Sequence, residues 1–218
     1  MVDEMVTTTP RPRLDALLDR WRQAVRIDNS GPGYDLTTSN RTLICQQRVE
    51  RFLDTPSEER FQELWSTDAL YDSTVPNATL VLKHWSGRIN EFDDFLQEIA
   101  EADAYNTQWE GRFRWMQPLW ELYGRLHAET AVIPSSLAGY GLEKLGFEKA
   151  NTFHSRSESL TELADYYEER IGHLTADAEV TVPLSVELDE FLRVIAEVDR
   201  DEITAELTGP RQRLYRAL

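Results

Sequence analysis

The segment from Tyr105 to His127 concentrates the side chains best suited to recognising a nucleic acid. It carries three Trp, two Tyr and one Phe, and its three Arg outnumber its two Glu. Aromatic planes stack on bases, and Arg side chains pair with phosphates or base edges. Trp and Arg are also enriched at protein-interface hot spots. Arg112, Arg114 and Trp115 are therefore candidate residues for binding DNA or a protein partner.

A structural interpretation competes with this one. On a helix, one apolar stripe would hold Trp109, Phe113, Met116, Trp120 and Tyr123, and a second would hold Trp115, Leu119, Leu122 and Leu126. A helix that is apolar on two sides is typical of the centre of a core.

A second candidate region follows the paired glycines Gly139 and Gly141. This arrangement resembles half of a helix-hairpin-helix, in which backbone N–H groups at a helix start hold a phosphate. Lys144, Lys149 and Arg156 lie in or just after it, so we add them to the candidate binding residues. The alternative is that the glycines serve only close packing between helices.

Nothing in the sequence predicts catalysis by this chain. It contains no nucleophile elbow, Walker A loop or dinucleotide-binding glycine motif. No two of the four His are spaced as metal ligands on a helix, and Cys45 is the only Cys. We expect no catalytic residue, no metal and no cofactor, and we expect Cys45 to be a small buried side chain.

The balance of acidic and basic residues predicts the environment in which the protein works. Asp and Glu number 39 against 23 Lys and Arg, a formal net charge of −16 in 218 residues, and only three of the cations are Lys. An acidic surface poor in Lys keeps a protein solvated where salt screens electrostatics, so we expect a halophilic protein. Residues 1–60 are nearly neutral, which leaves room for a locally basic face. The sequence has no signal peptide and no membrane-spanning run, which predicts a cytoplasmic protein.

The periodicity predicts an all-α fold. We expect a compact domain of roughly nine or ten helices with at most one short strand pair, and the one good strand candidate is 179–182. A flexible tail is predicted over 1–12 and a single helical domain over 13–218, with a sub-boundary near 129–135. Two further short helices are predicted after residue 199.

Helix ends are predicted from capping signals. Capping boxes begin at Thr55, Thr107 and Ser155, and the second opens a long helix that reaches His127 with a kink or restart at Pro118. Ser135 caps a short helix that stops at Gly146. The helix that begins at the Ser155 capping box ends at Gly172.

Two segments are similar to each other. Residues 91–103 (EFDDFLQEIAEAD) and 187–199 (ELDEFLRVIAEVD) are identical at eight of thirteen positions. This pattern indicates either a duplication or two acidic amphipathic helices drawn from one biased composition.

Three stretches carry a resemblance to a known group of proteins. They read LWSTDALYDSTVPNATLVL (64–82), LWELYGRLHAETAVIPSSLAGYGLEKLGF (119–147) and VPLSVELDEFLRVIA (182–196). They resemble the N-terminal regions of haloarchaeal proteins from restriction and phage-defence loci, some of which look like Mcr-type, modification-dependent restriction factors. The resemblance implies a recognition or adaptor piece, with a motor or nuclease subunit as a partner, because an Mcr-type motor would need a Walker A loop.

Three functional hypotheses follow from these observations. The first is a non-catalytic DNA-recognition or adaptor module of a haloarchaeal restriction or phage-defence system. The second is an acidic helical scaffold for protein–protein interaction that does not bind nucleic acid. The third, with the least support, is a hydrolase with a dispersed acidic site.

Overall fold

The computed structural model describes residues 12–26, 34–36, 41–66, 68–70, 81, 83–178 and 180–197. Over this part the chain forms nine α-helices and one helical turn at 83–85, which confirms the predicted all-α domain. The helices are α1 (Pro12–Ala24), α2 (Arg41–Asp54), α3 (Glu58–Leu64), α4 (Ile89–Ala100), α5 (Gln108–Phe113), α6 (Met116–Leu126), α7 (Ser136–Leu145), α8 (Phe153–Ile171) and α9 (Leu184–Glu197). The predicted tail, apart from Pro12, and the helices predicted after residue 199 lie outside the described residues.

A single short strand pair is present in the described part, at a different place from the predicted strand. Strands β1 (Val25–Arg26) and β2 (Tyr34–Asp35) run parallel, with Val25 opposite Tyr34. The strand predicted over 179–182 is wrong for 180–182, and Glu179 lies outside the described residues. The backbone at Val182 bonds to side chains instead: its N–H donates to Thr175 Oγ1 at 3.1 Å, and its carbonyl lies 2.7 Å from His173 Nε2.

The buried side chains form two clusters, each with one central helix. The α9 core joins α1, α7 and α8 to α9, whereas the α4 core joins α2, α3, α5 and α6 to α4. Along the chain, Tyr123 is the last buried residue of the α4 core, and the next buried apolar residue, Ala128, belongs to the α9 core. The predicted sub-boundary near 129–135 lies just after this change and stays a prediction.

A buried charge network links the two cores. The Arg125 guanidinium on α6 donates to Glu121 Oε1 at 2.7 and 2.8 Å, to Thr42 Oγ1 at 3.0 Å and to Asp189 Oδ2 on α9 at 3.0 Å. Arg125, Glu121 and Asp189 are all at least 97% buried. Ser135, which precedes α7, donates its hydroxyl to Asp189 Oδ1 at 3.3 Å. Helices α2, α6 and α9 therefore meet at a single guanidinium.

The aromatic segment is two helices rather than one long helix. The break lies at Arg114 and Trp115, between α5 and α6, and not at Pro118 as the sequence predicted. Pro118 is the third residue of α6, where a missing N–H leaves no intrahelical bond unmade. The interpretation as core is confirmed for most of the segment: Trp109, Phe113, Leu119, Trp120 and Leu122 are all buried.

The predicted helix ends are correct in part. Ser135 accepts from the Ala138 N–H at 3.1 Å, and Gly146 and Gly172 end their helices with positive φ, as predicted. The box predicted at Ser155 instead has Thr152 as its N-cap, and the one predicted at Thr55 has Ser57, because these helices begin at Phe153 and Glu58. The side chain of Thr107 makes no capping bond. None of the described helices has the length and apolar character needed to cross a bilayer.

Candidate nucleic-acid interface

The bend between α5 and α6 presents two of the predicted binding residues. Arg114 adopts the left-handed conformation with a φ of 76°, and its N–H donates to the Glu110 carbonyl at 2.9 Å. Trp115 follows in extended conformation as the N-cap residue of α6. The Arg114 side chain is exposed and Trp115 is half-buried. The bend therefore brings a cation and an indole to the surface side by side.

Two residues that are distant in sequence complete this surface. The His84 ring contacts the Trp115 ring edge-on, with centroids 5.5 Å apart. Arg88 Nη2 lies 3.0 Å from His84 Nε2, and its guanidinium lies 4.7 Å from the centre of the Trp85 ring. We call His84, Arg88, Arg112, Arg114 and Trp115 the Arg114 corner.

His84 is a neutral imidazole at the Arg114 corner. Arg88 has only donors, so His84 Nε2 must be the acceptor and the imidazole is neutral with its proton on Nδ1. Burial lowers the pKa of His84, and the charges of Arg88 and Arg114 lower it further. Burial and, after it, the two guanidinium charges thus keep this imidazole neutral.

The three arginines of the corner differ in how they are engaged. Arg112 pairs with Glu98, which also accepts from Trp109 Nε1 at 2.7 Å, and its guanidinium lies 4.6 Å from the centre of the Phe95 ring. Arg88 reaches Glu91 at 3.4 Å. Among the residues that the structure describes, the Arg114 side chain makes no hydrogen bond or ion pair. Arg114 is the cation of the corner that an incoming anion would meet first.

The three candidate residues of the second region, Lys144, Lys149 and Arg156, do not all lie at one place in the structure. Lys149 and Arg156 line a cavity of about 340 Å³ between the first turn of α6, helix α7 and the start of α8. Lys149 is exposed, which suits a binding role. Lys144 lies elsewhere: it donates to the Ala196 carbonyl at 2.8 Å, in the last turn of α9, where a cation stabilises the helix end.

Arg156 does not fit the predicted binding role. It is only 6% exposed, and its Nη atoms donate to the carbonyls of Pro134, Ser135 and Ala150 at 3.1–3.3 Å. Its guanidinium also lies 4.9 Å from the centre of the Trp120 ring. Arg156 fixes the loop before α7 and is left out of the interface.

The two glycines of this region are explained by packing. A Cβ on Gly141 would lie 2.7 Å from the Leu192 carbonyl oxygen, and one on Gly139 would lie 3.1 Å from Arg156 Cζ. The first distance is far below van der Waals contact. Helices α7 and α9 can therefore approach closely only because Gly141 has no side chain.

The sequence missed two residues that the structure places at the cavity of Lys149. Tyr140 is 59% exposed and Met116 is 46% exposed, and both line this cavity. Tyr140 could have been found, since it lies off the face of α7 that buries Ala138 and Leu142. No sequence pattern marks His84 and Arg88 as part of this site, because only the fold brings them close to Trp115.

Among the described residues, no group of three or more His, Cys, Asp or Glu side chains is arranged so that it could hold a metal ion. Burial raises the pKa of the Cys45 thiol to about 12, so at neutral pH this side chain is a buried thiol rather than a nucleophile. No protein-family model, curated protein or solved structure matches this chain.

Proposed function

We propose that this protein is a non-catalytic DNA-recognition or adaptor module that binds through the Arg114 corner and the neighbouring cavity of Lys149. The observation that carries the proposal is Arg114 itself, an exposed cation held at positive φ. Both surfaces flank the start of α6, because Trp115 belongs to the corner and the next residue, Met116, lines the cavity.

The conformation of Arg114 supports a role beyond folding. A left-handed conformation costs an L-residue roughly 1–2 kcal/mol, and glycine would avoid this cost. Residues held in such conformations concentrate at functional sites. The bend needs a residue at positive φ, but it does not need a guanidinium.

The accessible aromatic side chains suit stacking on unpaired bases. Tyr140 is the most exposed of the large apolar side chains that the structure describes, and Trp115 is half-buried beside Arg114. Stacking on an aromatic side chain contributes about 1–3 kcal/mol per base. Arg114 and Lys149 would then contact phosphates, so we favour DNA that is single-stranded or locally opened.

The biological setting is proposed from the resemblance described above. A module without a Walker A loop would deliver bound DNA to a motor or nuclease subunit of a haloarchaeal restriction or phage-defence system. The acidic composition fits a cytoplasm rich in salt, where screening shortens the repulsion between this chain and DNA.

The test is a fluorescence anisotropy titration with a labelled single strand and with its plain and methylated duplexes. It is run between about 0.1 M and 1 M KCl, over which the Debye length falls from about 10 Å to about 3 Å. We expect Arg114→Gly to bind more weakly and to lower the salt slope by about one, as the loss of one phosphate contact does. The same variant should unfold at higher denaturant, because the strain at φ 76° is relieved.

Two further variants make this test specific. Tyr140→Ala removes an exposed ring and should weaken single-strand binding by about tenfold without unfolding the protein. Arg22→Ala is the matched control, because Arg22 is exposed on α1, a helix of the α9 core. This variant should bind DNA like the parent. The proposal fails if no DNA binds to the folded protein, or if Arg114→Gly and Tyr140→Ala bind every DNA like the parent.

One observation favours the second candidate function, a protein-interaction scaffold. Met116 and Tyr140 are large, exposed and adjacent to the same cavity, and Arg88 and Arg112 already hold carboxylates of this chain. Aromatic side chains, Met and Arg are the types enriched at interfaces. A protein partner would bind with a shallow salt dependence, whereas DNA binding falls steeply with salt.

A further inference from the structure

A second cavity lies where the two cores meet, on residues that the proposed interface does not use. Its volume is about 430 Å³, which falls in the range of about 300–1,000 Å³ that small-molecule sites occupy. The α4 core contributes Tyr105, Tyr123 and Phe153 to its lining, and the α9 core contributes Ala128 and Leu184. Sites between two packed units are a common place for ligands.

One wall of this cavity is a fixed set of aromatic rings. Tyr105 and Phe153 stack with their ring centroids 3.7 Å apart, and Tyr123 meets them edge-on at 5.4 and 5.6 Å. The Tyr105 hydroxyl is held by Glu110 Oε1 at 3.2 Å. Such a wall is apolar, and its rings attract cations.

The charged side chains that line this cavity have one sign. Asp103 and Glu129 are both exposed at its rim, and no Lys, Arg or His is among the described residues that line it. Asp103 lies close enough to Tyr123 to contribute, after burial, to a raised pKa of that phenol. The cavity of Lys149 differs, because it is lined by Lys149 and Arg156 against Glu143 alone.

We propose that this cavity binds a small organic cation: an ammonium group faces Asp103 and Glu129, and an aromatic or compact apolar body lies against the Tyr105, Tyr123 and Phe153 wall. The carboxylates supply charge complementarity, and the ring wall supplies apolar contact and cation–π attraction. The site shares no residue with the Arg114 corner or the cavity of Lys149, so its failure would leave the proposed function untouched.

The probe for this site is tyramine, which carries an ammonium group, a ring and a hydroxyl. Its matched control is 4-hydroxyphenylpropionate, in which a carboxylate takes the place of the amine end. Binding to the full chain is measured by calorimetry and by ligand-observed NMR at millimolar concentration. We expect tyramine to bind and the carboxylate to give no signal, since the rim carries only negative charge.

Three variants locate the site. Asp103→Asn should weaken tyramine binding by about tenfold, whereas Asp177→Asn, the same change at an exposed position outside the cavity, should leave it unchanged. Glu129→Gln, the same kind of change at the other carboxylate of the rim, should weaken binding to a similar extent. Equal binding of both probes, no binding of tyramine, or binding that neither Asp103→Asn nor Glu129→Gln weakens would overturn the proposal.

Discussion

The buried guanidinium of Arg125 contacts two carboxylates, those of Glu121 and Asp189. One positive charge thus faces two negative charges, and from this we derive a prediction for Asp189. Burial raises the pKa of Asp189 to about 6, because the attraction of Arg125 only partly offsets the loss of solvation and the nearby charges of Glu190 and Glu121. We predict that Asp189→Asn stabilises the protein at pH 7. The amide keeps the size of the side chain, and its oxygen still accepts from Arg125.

The magnitude follows from the two pKa values of Asp189. A rise from 3.8 in the unfolded chain to about 6 in the folded protein corresponds to about 3 kcal/mol. Because the folded pKa is the higher one, this contribution to stability is fully present below pH 4 and is lost as the pH rises through 6. The amide does not titrate, so about 3 kcal/mol is the largest gain expected at pH 7.

The assay is urea unfolding at constant KCl, followed by Trp fluorescence at a series of pH values from about 4 to 8. The difference between parent and variant isolates Asp189 from the other groups that titrate in this window. Arg125→Met is the contrasting variant: it leaves two buried carboxylates without their cation and should cost about 3–5 kcal/mol. The reasoning is refuted if Asp189→Asn destabilises the protein at pH 7 as Arg125→Met does, or if its stability changes with pH exactly as that of the parent.

Two other predictions concern packing and charge. Gly141→Ala should lower the free energy of unfolding by about 1–3 kcal/mol, because its Cβ would lie 2.7 Å from the Leu192 carbonyl oxygen. Gly111→Ala in α5 should raise the free energy of unfolding by about 0.5–1 kcal/mol, because no atom lies within 4 Å of the added Cβ. Urea unfolding of both variants measures these changes. The thermal midpoint should rise from low to molar KCl, because screening relieves the self-repulsion of a net charge of −16; a midpoint independent of KCl would contradict the halophilic interpretation.

The local parts of the fold could be predicted from the sequence. Helix α7 was bounded correctly because its cap, Ser135, and its stop, Gly146, are adjacent to it in the chain. The break before α6 was misplaced because Pro118 carries the usual breaking signal, whereas Arg114 carries none. Arg114 has its positive φ directly after Phe113, which is buried in the α4 core, and no local sequence pattern indicates that environment.

The candidate site was predictable to a similar extent. Arg114 and Trp115 could be named as candidates because they are neighbours in a segment rich in aromatic residues. His84 and Tyr140 reach the start of α6 only through the fold, so no local pattern joined them to it. Arg156 was misjudged because three backbone carbonyls surround its guanidinium, and a sequence does not reveal carbonyl positions.

The two similar segments test how far a pattern determines an environment. Both become the central helix of a core, α4 and α9, and both bury the Phe, Leu and Ile of the shared pattern. Their acidic positions differ, since Glu91 and Asp94 of α4 are exposed whereas the matching Glu187 and Glu190 of α9 are buried. The shared apolar pattern therefore accompanies a buried apolar face in both helices, but it does not determine what covers the acidic side.

Partners explain why α9 tolerates buried charge. Glu187 accepts from the N–H groups of Leu174 and Thr175 at 3.0 and 2.7 Å, and Glu190 pairs with Arg193 at 2.7 Å. In α4 the position of Arg193 is Gln97, so that helix has no cation to pair with Asp94 at the same spacing. A buried carboxylate is retained only where a donor meets it. Among the described residues, four carboxylates and three guanidinium groups are buried, so burial removes only one net negative charge from the surface. The surface is therefore nearly as acidic as the composition suggests, and any attraction of an anion to the Arg114 corner must come from the arginines of that corner.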